Sequence, residues 1–73
     1  MDKTAVITKE NGEFIRFCWR QQRNGLYSTT TSHYDADGYY NAGNSSDRLN
    51  VTLEMIDKAL DAARSLFSEV AIY

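Results

Sequence analysis

The stretch TAVITKENGEFIRFCWRQQRNGLYSTTTSHY, residues 4–34, decides the fold. It contains two Asn-Gly pairs, Asn11-Gly12 and Asn24-Gly25, set between runs rich in Thr, Ile, Val, Phe, Trp and Tyr. Those residue types fit a pleated surface. Asn-Gly is the strongest short-range hairpin signal, because a type I′ turn needs two residues tolerant of positive φ. The runs 4–9, 14–21 and 26–34 are therefore expected strands, and Asp35-Ala36-Asp37-Gly38 turns the chain again into a short fourth strand at Tyr39-Tyr40-Asn41. Successive hairpins of this kind make an antiparallel meander.

If each Asn-Gly pair closes a two-residue turn, counting gives the register. Ile15 then lies opposite Thr8, Phe17 opposite Val6 and Ser32, and Trp19 opposite Thr30. Side chains alternate between faces with period two. One face is expected to carry Val6, Ile15, Phe17, Trp19, Leu26 and Tyr34, and is the more apolar, hence the core side. The other is expected to carry Ala5, Ile7, Phe14, Arg16, Cys18, Arg20, Tyr27 and His33.

Beyond the meander, residues 42–50 form a polar segment rich in Gly, Asn and Ser, expected to be an irregular connector. From Val51 the period changes. Leu53, Ile56, Leu60, Ala63, Phe67 and Val70 recur at steps of three and four, with Met55, Ala59, Ala62 and Leu66 widening the stripe. The spacing predicts a helix over about 52–68, with Thr52 or Asn50 as N-cap and Glu54 in its first turn. Residues 71–73 either continue it or leave as an extended tail. The expected class is α+β: an antiparallel β-meander of three to four strands with one C-terminal amphipathic helix packed on one face, in a single domain spanning 1–73.

The chain has 73 residues, enough for one small domain. Leu, Ile, Val and Phe number 15, near the lower limit for autonomous folding, but 8 basic against 10 acidic residues leave a net charge of only −2. That balance, with nine aromatics, argues for a folded chain rather than a disordered one. So short a chain has few side chains to spare for an enclosed pocket, so no small-molecule substrate is expected. No apolar run approaches the roughly 18 residues of a membrane span, and no signal peptide is visible. A soluble, cytoplasmic protein with no membrane partner is the expectation.

Chemical motifs are sparse. Cys18 and His33 are the only thiol and imidazole. They share a face in the expected register, yet nothing is placed to orient the base or bind an oxyanion. One Cys and one His make a zinc site implausible. Asp35 and Asp37 resemble the start of a calcium loop, but Tyr39, Tyr40 and Ser46 fall where ligand, glycine and glutamate belong. A turn capped by Asp explains the same letters. No phosphate-binding loop is present. The expectation is a protein that is not an enzyme, with no catalytic residue, metal or cofactor.

The informative feature is the face that one helix leaves open. Phe14, Arg16, Arg20 and Tyr27 are expected there together, combining the residue types enriched at protein–protein contacts. The expected function is an interaction or regulatory module that binds a protein partner through these four residues, a homodimer through the same face included. The alternative is weak nucleic-acid binding, with arginine for phosphates and rings for bases. An isoelectric point near 5.1 argues against that alternative. In outline, a three-stranded sheet backed by one helix resembles the arm-binding DNA domain of tyrosine recombinases, without its characteristic residues. The Asp35-Ala36-Asp37-Gly38-Tyr39 hairpin, Thr52-Leu53-Glu54, Ala59-Leu60 and Ala62-Ala63 are similar to the HicB-type antitoxin domain. The Pro-containing segment and Gly that precede that family's helix are missing, and its function is not carried over. In size and composition the chain resembles small phage, prophage or plasmid accessory proteins.

Overall fold

The structure, a computed structural model, describes residues 2–73. Strands β1 (Asp2–Thr8), β2 (Phe14–Gln21), β3 (Tyr27–Tyr34) and β4 (Tyr40–Val51) are followed by helix α1 (Leu53–Leu66) and strand β5 (Glu69–Ile72). They form one antiparallel five-stranded sheet in the order β4-β3-β2-β1-β5, with the helix lying over one face. The class is the α+β expected, with one strand more.

The turns close differently from the two-residue reading. Lys9 N–H donates to Glu13 C=O, Gln22 N–H to Leu26 C=O and Asp35 N–H to Tyr39 C=O, so each loop has three residues. Gly12, Gly25 and Gly38 take φ of +91°, +85° and +91°, whereas Asn11, Asn24 and Asp37 do not have positive φ. This is the three-residue hairpin with glycine at a bulge position, which asks only the glycine to leave the right-handed region. Asn11 and Asn24 spend their side-chain oxygens on the N–H groups of Glu13 and Leu26, two residues on. Asp35 does the same for Asp37 and Tyr39 in the third turn.

One extra loop residue moves the register by one and reverses several face assignments. Phe17 lies opposite Ala5 and Thr31, Ile15 opposite Ile7 and His33, and Trp19 opposite Lys3 and Thr29. Ala5 and Ile7 therefore join Ile15, Phe17 and Trp19 under the helix, while Val6 and Tyr34 move to the other side. The gain is physical: β1 buries two apolar residues, Ala5 and Ile7, instead of Val6 alone. Tyr27 and His33 also change sides, to the helix face.

Residues 42–50, expected as an irregular connector, belong to β4. Its polar composition suits an exposed edge strand, and two irregularities absorb its excess length. Between the pairs His33↔Asn41 and Thr31↔Ser46, residues 42–45 stand opposite Ser32 alone. Ser45 fills the gap in the ladder: its Oγ accepts from His33 N–H and donates to Asn41 C=O. Near the other end Asn50 takes φ +58°, the only non-glycine at positive φ among the described residues. Its backbone N–H donates to Gln22 Oε1, and its Oδ1 accepts from the amides of Gln22 and Asn24. The start of the helix is thus tied to the second turn.

Thr52 caps α1 by accepting Met55 N–H at 3.2 Å, with Glu54 in the first turn and Arg64 in the last. The helix ends at Leu66, and the residues left undecided between helix and tail pair with β1 instead. Ala5 faces Ile72 and Ile7 faces Val70, while Thr4 and Tyr73 exchange both backbone hydrogen bonds. Ile56 and Leu60 pack with Ala5, Trp19 and Val51; Ala63 packs with Ile7 and Ile15. Phe17 joins the two groups, and its ring lies 5.6 Å from that of Trp19. Among the described residues no buried side-chain polar atom lacks a hydrogen-bond partner.

Candidate interaction surface

The face of the sheet away from the helix is built from cross-strand rows, because residues paired in an antiparallel ladder share a side. The first row runs Glu69, Thr8, Phe14, Tyr34, Tyr40. The second is Ala71, Val6, Arg16, Ser32, and the third Thr4, Cys18, Thr30, Asp47. Asp2, Arg20 and Ser28 complete the far end. No element of the described chain lies over these rows.

Three of the four residues singled out from the sequence, Phe14, Arg16 and Arg20, occupy this open face. Tyr27 does not. It sits on the helix side, half-buried against the cluster that contains Val51 and Ile56, because the three-residue second turn pairs it with Gln21. Cys18 is on the open face and His33 on the other, so the expected thiol–imidazole neighbourhood is not formed. Cys18 instead sits 3.4 Å from Thr4 Oγ1.

The sequence reading missed the aromatic row. Phe14 and Tyr34 stack with ring centroids 4.8 Å apart and planes 8° from parallel, and Tyr40 lies 5.7 Å from Tyr34 at 55°. A signal was present. Gly12, Gly25 and Gly38 recur every thirteen residues, each after Asn or Asp, which marks three equivalent turns. Counting each as a three-residue loop sets Phe14, Tyr34 and Tyr40 side by side.

Arg16 lies in the row next to the rings, and Arg20 two rows further on. Arg16 stands in the middle of the central strand, exposed, and has no ion pair among the described residues. Arg20 meets Asp2 at 3.4 Å, with both side chains largely in water, where such a pair contributes little. Asp2, Asp47 and Glu69 lie around the margin. Thr4, Thr8, Ser28, Thr30 and Ser32 fill positions around these groups, small hydroxyl residues that leave the surface low. The arrangement offers a ring platform at one end and a free guanidinium at the centre, on a rigid ladder.

No group of three or more His, Cys, Asp or Glu side chains is placed to hold a metal ion among the described residues. Among the described residues no helix is long and apolar enough to cross a membrane. Compared with known proteins, the chain matches no family model, no curated protein and no solved structure. The open face must be interpreted from its own chemistry.

Proposed function

We propose that this protein is a small non-enzymatic interaction module that docks a partner protein on the open face of its sheet. One observation carries the reading: among the described residues the single helix lies over the opposite side, leaving the Phe14–Tyr34 stack and an Arg16 without an ion pair on an uncovered surface. Rings and arginine are the side chains that most often dominate binding energy at protein contacts. Here the ladder fixes their positions before a partner arrives, so little ordering entropy is lost on binding. Phe14 and Tyr34 act as the apolar anchor, Arg16 as the central charged contact, and Arg20 and Asp2 as rim. Tyr27 has no part in this surface.

A second copy is a poor occupant of the same face. Arg16 and Arg20 lie on β2, the middle of five strands, while Asp2, Asp47 and Glu69 lie toward the edges. A twofold axis through the centre would bring like charges together. The aromatic row beside Arg16 favours one other occupant, a single-stranded nucleic acid stacking bases on the rings. The marginal carboxylates and the net charge of −2 oppose it.

The test is site-specific crosslinking. A photoreactive residue at Ser32, beside Arg16, should trap one protein from the host extract. The same group at Asp57 on the exposed side of the helix should not, and Phe14→Ala with Arg16→Ala should abolish the adduct. Trapping that ignores these two substitutions would sink the proposal. Titration with single-stranded oligonucleotides at low and moderate salt should show no binding; tight binding, weakening steeply with salt and lost in Arg16→Ala, would replace the protein partner by nucleic acid.

A further inference from the structure

The first two hairpin turns are near copies, and each carries the dipeptide Asn-Gly. An asparagine before glycine can lose its side-chain amide without an enzyme, because glycine has no side chain to hinder its nitrogen. The glycine nitrogen gives up its proton and attacks Asn Cγ. An N–Cγ bond forms, the Cγ–Nδ2 bond breaks, ammonia leaves with that proton, and a succinimide ring remains. Water then opens the ring at either carbonyl. The product is aspartate or isoaspartate, the latter with a main chain one methylene longer.

The backbone restrains the two turns alike. Gly12 N–H donates to Lys9 C=O at 3.0 Å and Gly25 N–H to Gln22 C=O at 3.1 Å. Asn11 Oδ1 and Asn24 Oδ1 each accept the N–H two residues on. Their surroundings differ. Asn11 Nδ2 donates to the Glu13 carboxylate, a charge-assisted bond. Glu10 and Glu13 flank that pair directly, with Lys9 one step beyond, and Ala36 Cβ lies 3.3 Å from where a Gly12 Cβ would be. Negative charge develops on the attacking nitrogen and on Oδ1, so adjacent carboxylates raise the barrier. At the second turn Arg23 precedes the pair, and Gly25 has open space around it. Asn24 Nδ2 donates to the neutral Oδ1 of Asn50 at 3.3 Å. Gln22 Nε2 lies 3.5 Å from Asn24 Oδ1, a second donor where charge develops.

We infer that Asn24 is a site of spontaneous deamidation, reacting ahead of Asn11, and that its product loosens the junction before α1. Gln22 and Asn24 together hold Asn50, the residue at φ +58° two positions before the Thr52 cap. The Asn24 amide supplies a donor to Asn50 Oδ1. A carboxylate in its place has no hydrogen to give and sets two acceptors against each other. The isoaspartyl form also lengthens the three-residue loop that fixes the register between β2 and β3.

Incubation of the folded, full-length chain at mildly alkaline pH, followed by peptide mass mapping, tests this. Asn24 should convert about threefold or more faster than Asn11, the scale that surface charges give a barrier. Arg23→Glu should slow Asn24 by a similar factor and leave Asn11 unchanged. Asn11 converting first, or at the same rate, overturns the inference. So does a native chain in which Asn24 stays intact over a period that converts it in denaturant. The consequence is read separately by amide exchange. Asn24→Asp should speed exchange at Asn50 several-fold and leave Thr4, in the β1–β5 ladder, unchanged. Unaltered exchange at Asn50 would show that the product leaves the junction as it was.

Discussion

Along β2, neighbouring residues enter opposite environments. Ile15, Phe17 and Trp19 face the helix and close the core, while Phe14, Arg16, Cys18 and Arg20, each one position away, face outward. The helix-facing set is joined by the apolar Ala5, Ile7 and Val70 on the β1 and β5 side, and by Thr29, Thr31 and His33 on the β3 side. The outward set is joined by Thr4, Thr8, Ser28, Thr30 and Ser32, with only Val6, Tyr34, Tyr40 and Ala71 apolar or aromatic. One side of the strand therefore supports stability and the other is free to carry binding. A chain with so few large aliphatic residues has the means to build one core, and it concentrates them on one side.

The largest test of this division is Trp19→Ala. Trp19 is only 8% exposed and packs with Ala5, Val51, Ile56 and Leu60. Its truncation should cost about 3–5 kcal/mol, a large share of the ~4–11 kcal/mol expected for a chain of this length. Chemical denaturation should show a much lowered midpoint or no folded baseline. Ile56→Ala, at the one fully buried large side chain, should follow at about 2–5 kcal/mol. A small effect at both sites would mean that the helix does not form the core described.

The turns decide which residues face which way, and two glycines separate the causes. Both Gly12 and Gly25 hold positive φ, but a Cβ at Gly12 would lie 3.3 Å from Ala36 Cβ, whereas Gly25 has nothing within 4 Å. Gly12→Ala should therefore cost about 1–2 kcal/mol and Gly25→Ala about 1 kcal/mol, read from denaturation midpoints. Equal losses would show that the contact between the first and third turns contributes nothing. Asn50→Ala, at φ +58° and bound to Gln22, should cost a similar ~1–2 kcal/mol, with Asn50→Gly recovering the backbone part.

The smallest expected effect lies on the open face. Arg16→Ala should change stability by less than about 0.5 kcal/mol, since the side chain is exposed and unpaired among the described residues. It should nonetheless reduce crosslinking to the partner several-fold. A large stability loss here would erase the contrast between the two sides of β2.

The hairpins and the helix were legible in the letters, and its cap was narrowed to Thr52 or Asn50, because each has a local cause: a turn residue, a period, a polar side chain before an apolar run. The register was not. Two- and three-residue turns use the same Asn-Gly pair, and the choice depends on whether asparagine takes positive φ and on which of Val6 or Ala5 with Ile7 becomes buried. That second condition involves strands distant in sequence, so Tyr27 was placed on the wrong side while Phe14, Arg16 and Arg20 were placed correctly. The length of β4 beyond Asn41, and β5, were hidden for a related reason. Residues 42–45 have no strand preference of their own and are held by β3 and Ser45, and four residues of β5 are extended because β1 offers them a partner.

The pairing of β5 with β1 also sets how the molecule responds to load. Thr4 and Tyr73 are hydrogen-bonded neighbours, so the start of β1 and the end of β5 lie side by side at the same end of one antiparallel ladder. Tension between them falls first on the outermost hydrogen-bonded pair, then on the next, in the manner of a zip rather than of a sheared joint. A force applied across Thr4 and Tyr73 should open this seam first, before it loads the meander from Phe14 to Tyr40.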